Sequence, residues 1–310
     1  MTCTEFFDLW LEIQTVSLRR STYEAHTIYF RKHIEPYFRH YTLDELKPID
    51  IQRYVTEKLQ CGRKDSRDGG LSLVTVKKHL SVLRQALDLA VIYGYIPHNP
   101  CDSVRLPKLK SGLTERTVLL TAREAQEVIN AFEGHPLRVA VILALYYGLR
   151  RSEVLGLKWS AVDFNRNTIQ INHTIVKNLS IEAADLTKTE MSARTFELIP
   201  EVRALLLTQS AQRTTESPYI NAWDDGRVFR PDYVTRGFQR NLKAHSLPQM
   251  RFHDLRHSTA SILFDMGWEL EDVKNWLGHA DIETTSNIYL HYTRDRKVLL
   301  ADRLKGTFLL

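Results

Sequence analysis

The sequence predicts an α+β chain of two domains, an all-α N-terminal domain followed by a mostly helical domain with a small antiparallel sheet. Three observations carry this. The first hundred residues place their apolar side chains at helical spacing. Near Thr168 the pattern switches to the alternation of half-buried strands, and helical spacing returns after Pro200. Between the two regions lies a stretch rich in Pro, Ser and basic residues with no periodicity. The expected boundaries are 1–100 for the helical domain, 101–116 for the linker and 117–310 for the second domain, with a tail from about 294.

Taken in order, Thr2 with Glu5 forms a capping box ahead of Phe6, Trp10 and Ile13. Ser21 with Glu24 repeats it before Phe30, Ile34 and Phe38, and Thr42 with Glu45 opens a short third piece. Pro48 suits the first turn of a helix carrying Ile51, Tyr54, Val55 and Leu59. After a polar loop, a long helix starts near Ser72 with the stripe Val76, Leu80, Leu83 and Leu87, and stops at Gly94.

The second domain opens with a short strand, Val118–Leu120, and a helix capped by Thr121 with Glu124. Residues 136–147 predict an apolar helix broken at Gly148. Thr168–Lys177, Leu186–Thr187 and Thr195–Ile199 predict one antiparallel sheet whose last turn is TEMSAR. Helices follow after Pro200 and at Pro231–Ala244. A helix to about Met266 buries Leu255, Thr259, Ile262 and Met266, with His253 and Arg256 off that stripe. Another, from Leu270, buries Val273, Trp276 and Leu277 and ends at Gly278. A short helix from about Thr284 and a tail helix, Arg294–Leu310, complete the chain.

Composition bounds the function. At 310 residues, 43% apolar and 25% charged, the chain is ordinary for a globular protein of two cores. No apolar run approaches a membrane span, and the start carries no signal-peptide pattern. Cys3, Cys61 and Cys101 are too scattered for a disulfide framework or a zinc site, which fits a reducing cytosol. The net charge of +5 is uneven: residues 1–110 hold 17 Lys/Arg against 13 Asp/Glu, and residues 111–310 hold 25 against 24. The N-terminal excess favours a phosphate backbone.

The chemistry-bearing residues cluster late. His253, Arg256, His279 and Tyr289 fall within 37 residues, on separate elements. Upstream stands Tyr147-Gly148-Leu149-Arg150-Arg151-Ser152-Glu153, and Lys188 lies between. Alone, each has a plainer reading. Arg150 is a helix-end charge, Lys188 a solvated turn charge, His279 a cap, and Tyr289 one packing tyrosine of 13, with Tyr292 as its rival. His253 with His257 has i, i+4 spacing, but the intervening Glu and third ligand of a zinc protease are missing.

Together these residues resemble the tyrosine recombinase (phage integrase) family, including integrases of phages and conjugative transposons. That family pairs an upstream Gly-Leu-Arg box and a hairpin lysine with His-x-x-Arg, Leu-Gly-His and a tyrosine about ten residues later. The matches are Gly148-Leu149-Arg150, Lys188, His253 with Arg256, Leu277-Gly278-His279 and Tyr289, in order across most of residues 117–292. The resemblance implies a core-DNA-binding domain at 1–100, touching DNA through Arg19, Arg20, Arg63, Lys64, Lys77 and Lys78, with Arg105, Lys108 and Lys110 from the linker. It implies a catalytic set of Arg150, Lys188, His253, Arg256, His279 and Tyr289, supported by Glu153, which orients Arg150, and by His257. Arg150 and Arg256 clamp the phosphate, His253 contacts it and moves a proton, Lys188 protonates the leaving 5′-oxygen, and Tyr289 attacks.

A phenol is easier to deprotonate than an alcohol, and its phosphodiester keeps the energy of the bond broken, so rejoining needs no ATP. Two guanidiniums neutralise the developing charge, so no metal or other cofactor is implied. The resemblance further implies a cytoplasmic bacterial enzyme, a homo-tetramer on two duplexes, integration or excision of a mobile element through a Holliday junction, and an excision factor or host DNA-bending protein as accessory. The tail would dock on a neighbouring protomer or pack on its own domain. One departure stands out: integrases of this kind often begin with an arm-site-binding domain, whereas here the helical domain starts within ten residues of Met1. A simple two-domain recombinase and a trimmed chain both fit. Two other classes compete, a type IB topoisomerase-like nicking-closing enzyme and a catalytically inactive DNA-binding protein. The complete residue set argues against the second.

Overall fold

The computed structural model describes residues 1–65, 68–107, 118–177, 181–185, 194–278 and 286. The chain forms two compact units, Met1–Ser111 and Gly112–Leu310.

The first unit is all helical. Helix α1 (Cys3–Ser17) starts from the predicted box: the Glu5 amide donates to Thr2 Oγ1 at 3.2 Å and the Thr2 amide to Glu5 Oε2 at 2.8 Å. Helix α2 (Arg20–Tyr29) begins one residue before Ser21, with Arg19 as N-cap and no side-chain cap, so the second expected box does not form. It continues through a π turn at Phe30–Ile34 into α3 (Glu35–Phe38). Pro36 explains the widening, because its ring would meet the Lys32 carbonyl in a regular helix. Thr42 and Glu45 do bond, at 2.8 Å, but around a turn and not a helix. Helices α4 (Pro48–Cys61) and α5 (Leu73–Ile92) match their expected starts. Their apolar faces close over Phe6, Trp10, Phe30, Ile34 and Phe38, all buried.

In the second unit, residues 118–120 form no strand; the Leu120 amide donates to Ser258 Oγ at 3.0 Å. Helices α6 (Ala122–Ala131) and α7 (Arg138–Tyr146) follow, α7 being apolar all round and central to the core. After α8 (Arg151–Gly156) come β1 (Val162–Asp163), β2 (Thr168–Ile171), β3 (His173–Lys177), β4 (Ile181–Asp185) and β5 (Arg194–Glu197). The single expected sheet is in fact two antiparallel ones, β1-β2-β5 and β3-β4. Thr168–Lys177 breaks at Asn172, so its halves pair with different partners, Ile169 with Phe196 and Ile175 with Ala183. Leu186–Thr187 lies outside the described residues.

Helices α9 (Pro200–Gln212) and α10 (Pro231–Ala244) start at their prolines, as the sequence requires. Helices α11 (Asp254–Asp265) and α12 (Leu270–Leu277) carry the late motifs. Met266, expected on the buried side, is 70% exposed because it caps α11 where the chain leaves the core. The short helix from Thr284 and the tail from Arg294 lie outside the described residues. No described helix is long and apolar enough to cross a membrane.

Candidate active site

The site is built where the ends of four helices meet, α7, α8, α11 and α12. Gly148 follows α7 with φ +61°, in the left-handed region that glycine enters without strain. The turn it permits places Arg150 as the N-cap of α8. Glu153, one turn on and 2% exposed, accepts from the Arg150 amide at 2.9 Å and from its Nη1 at 2.6 Å. The role expected of Glu153, to orient Arg150, has this geometry. Arg151, the neighbouring alternative, points elsewhere and donates to Thr235 Oγ1 at 2.6 Å.

Arg256 enters from α11. It was expected to stand off the apolar stripe, yet it is 1% exposed. Helix α11 is enclosed on nearly every side, since all residues from 254 to 261 are buried, so a single stripe does not describe it. The burial is met by strong acceptors: Nη1 donates to the Gly148 carbonyl at 2.5 Å and Nη2 to the Leu277 carbonyl at 2.6 Å. Arg150 Nη2 donates to the next carbonyl, Gly278, at 3.1 Å. Two guanidiniums from separate motifs thus hold consecutive carbonyls at the C-terminus of α12, the negative end of that helix. Gly278 has φ +64° and closes α12. Burial first, and then the cation Arg150, pull the Arg256 pKa down, whereas an anion placed beside it would favour the charged guanidinium.

His253 sits at the entry to α11 and is exposed, its ring edge-on to His257 with centroids 4.9 Å apart. Desolvation, then His257, Arg256 and Arg150, lower its pKa to about 4, so the imidazole is neutral near pH 7. His257 is nearly buried, and its pKa is also lowered by burial. Among the described residues no group of three or more His, Cys, Asp and Glu could hold a metal ion. Lys188, His279 and Tyr289 lie outside the described residues, as do Lys108 and Lys110.

One residue of this cluster escaped the sequence reading. Arg194, taken there as part of a turn, opens β5 opposite Ile171 and donates from Nη2 to Glu153 Oε2 at 2.9 Å. The signal was present: Arg194, Phe196 and Leu198 alternate, and Phe196 and Leu198 are core residues, so Arg194 shares their inward face.

In the first unit, Arg19, Arg20, Lys64, Lys77, Lys78 and Arg105 are exposed. Arg20 pairs with Glu24 at 3.2 Å, and the half-buried Arg63 forks onto Asp65 at 2.9 and 3.0 Å. Arg63 and Lys64 line a concavity with Lys32 and His33, a pair the sequence did not single out from other helix charges.

The Phage integrase family matches residues 119–296, and the phage integrase N-terminal SAM-like domain matches residues 2–59. The chain belongs to the phage integrase family, and is a tyrosine recombinase. Among its relatives, a "Tyrosine recombinase XerC-like" protein of Caldanaerobacter subterraneus is 27% identical over 339 aligned positions, covering 100% of this chain and 84% of that one. The ICEBs1 integrase of Bacillus subtilis is 24% identical, covering 96% and 80%. The fold is shared with the Tn1549 transposon integrase solved with a circular intermediate DNA, at TM-score 0.79 and 20% identity over 97% of this chain and 99% of that one. It is also shared with a lambda integrase tetramer bound to a Holliday junction, at TM-score 0.70 and 19% identity over 93% and 77%.

Proposed function

We propose that the chain is a site-specific DNA recombinase that moves a mobile element by breaking and rejoining strands through a 3′-phosphotyrosyl intermediate. The observation that carries this is the anchoring of Arg150 and Arg256 on the consecutive carbonyls of Leu277 and Gly278. It brings the Gly-Leu-Arg box, His-x-x-Arg and the Leu277-Gly278 pair to one place, with the Arg150 side chain 36% exposed. A phosphodiester received there meets cations on fixed mounts, and that preorganisation stabilises charge developing on its non-bridging oxygens without a metal.

In this reading the Tyr289 oxygen attacks phosphorus, the P–O5′ bond breaks, and the phosphate stays on Tyr289 through the 3′ end. Lys188 gives its proton to the leaving 5′-oxygen, and His253 and His279 contact the phosphate and manage the tyrosine's proton. A 5′-hydroxyl of a second duplex then attacks the phosphotyrosine and returns the phenol. Two such exchanges form and resolve a Holliday junction, the kind of DNA that the lambda integrase tetramer was solved bound to. Four protomers on two duplexes follow from this sequence of steps, and a DNA substrate places the enzyme in the cytoplasm. Residues 1–100 and the linker 101–116 would grip the duplex, through Arg19, Arg20, Arg63, Lys64, Lys77, Lys78 and Arg105 among the described residues.

The test uses nicked suicide duplexes tiled across the DNA that flanks the gene. A covalent protein–DNA adduct should form on one of them and vanish in Tyr289→Phe, and strands of two duplexes should be exchanged. An adduct that persists in Tyr289→Phe sinks the assignment of the nucleophile. Site-independent relaxation of one supercoiled plasmid, with no exchange, would make the enzyme a topoisomerase instead.

A further inference from the structure

We infer that Arg194 is a positioning residue for strand cleavage: by sharing the Glu153 carboxylate with Arg150, it sets how much of Arg150's charge and which of its N–H groups face the phosphate. The inference rests on the recombinase reading above.

Glu153 is the sole carboxylate described in contact with either guanidinium, and both of its oxygens are in use. Oε1 takes Arg150 Nη1 at 2.6 Å, while Oε2 takes Arg194 Nη2 and the Arg150 amide, each at 2.9 Å. The Arg194 and Glu153 side chains are 7% and 2% exposed, so their attraction is little screened by water. One buried negative charge is therefore divided between two cations. Without Arg194 it would fall to Arg150 alone, neutralising the guanidinium that has to meet the phosphate.

Two further observations give Arg194 its place. Its Nη1 packs against the left-handed turn at Gly278: a Cβ there would lie 2.0 Å from Nη1 and 2.8 Å from Cδ. The same turn gives its carbonyl to Arg150 and directly precedes His279. Second, Nε and Nη1 of Arg194 are buried and find no hydrogen-bond partner among the described residues. Leaving two such donors unpaired is unfavourable, and an apolar residue at the start of β5 would avoid it. Arg194 also directly follows residues 186–193 in the chain, among them Lys188, and its own backbone is fixed by pairing with Ile171. One side chain thus links the foot of that segment, the Arg150 clamp and the turn before His279.

The experiment measures single-turnover adduct formation and DNA affinity for the full-length wild type, Arg194→Gln and Arg194→Lys, on the nicked duplex that the wild type cleaves. Arg194→Gln should cleave about 100-fold more slowly, the loss typical of a misplaced catalytic group, while binding DNA within about threefold of wild type. Arg194→Lys restores the shared charge and should recover to within about tenfold of wild type. Should Arg194→Gln fail to fold, Arg194→Met, which keeps a long unbranched side chain without the charge, takes its place and should be as slow. Cleavage at the wild-type rate in either uncharged variant overturns the inference, as does Arg194→Lys being no faster than they are. If the wild type itself forms no Tyr289-dependent adduct, it is the recombinase reading that fails.

Discussion

Replacing Gly148 by Ala tests how the Gly-Leu-Arg box holds two guanidiniums at once. The substitution acts twice. At φ +61° a Cβ strains the backbone by about 1–2 kcal/mol. The same Cβ would stand 2.2 Å from Leu277 Cδ2 and 3.6 Å from Thr259 Cγ2, and overpacking of this kind adds about 1–3 kcal/mol. The sum is a loss of about 2–5 kcal/mol from the second unit. Function should suffer beyond stability, because the Gly148 carbonyl holds Arg256 and the Leu277 carbonyl holds it from the other side. Urea unfolding followed by tryptophan fluorescence reads the right unit, since four of the five tryptophans lie beyond residue 112. Gly134→Ala is the control: its φ is +68°, but a Cβ there meets nothing within 4 Å. It should lose only the backbone part, about 1–2 kcal/mol. Equal losses in the two variants, or a loss below about 0.5 kcal/mol in Gly148→Ala, would refute the packing argument.

Other consequences can be checked in the same preparations. Arg256→Lys keeps the charge but cannot fork between the Gly148 and Leu277 carbonyls, so adduct formation should fall about 100-fold; a rate near wild type would show that the fork is dispensable. Thr259→Val removes the hydroxyl that ties α11 to the Ala144 and Leu145 carbonyls at 3.2 and 2.9 Å, and urea titration should show a loss of about 1 kcal/mol. His79, buried in the first unit and accepting from or donating to the Tyr54 hydroxyl at 2.9 Å, has its pKa lowered to about 4, first by burial and then by His33 and Lys58. Between that value and the ordinary 6.5 the unfolded chain binds the proton that the folded one refuses, so stability is lost as pH falls through this window. The loss approaches about 3 kcal/mol below pH 4, and His79→Gln should flatten the pH dependence of far-UV circular dichroism melts; an unchanged slope would assign the acid lability to other groups.

Local rules made much of the molecule legible. Prolines at first turns, the Thr2 and Thr121 boxes and the left-handed glycines after α5, α7 and α12 mark helix ends by chemistry that acts within four or five residues. The linear order of Gly148-Leu149-Arg150, His253, Arg256 and Leu277-Gly278 likewise pointed to one chemistry before any contact was known. Tertiary structure decided what depends on partners distant in the chain. Thr168–Lys177 read as one strand because alternation records faces and not neighbours, and only packing assigned its halves to two sheets. Arg256 read as standing off the buried stripe because a helical stripe assumes one buried face, while α11 is enclosed nearly all round. Arg194 and Glu153 stand 41 residues apart, and they meet only once β5 has paired with β2 and fixed Arg194 opposite Ile171. The sequence determined which side chains carry charge and where helices stop; the fold decided which charges share a single buried carboxylate, because Coulombic coupling follows distance in space and not along the chain.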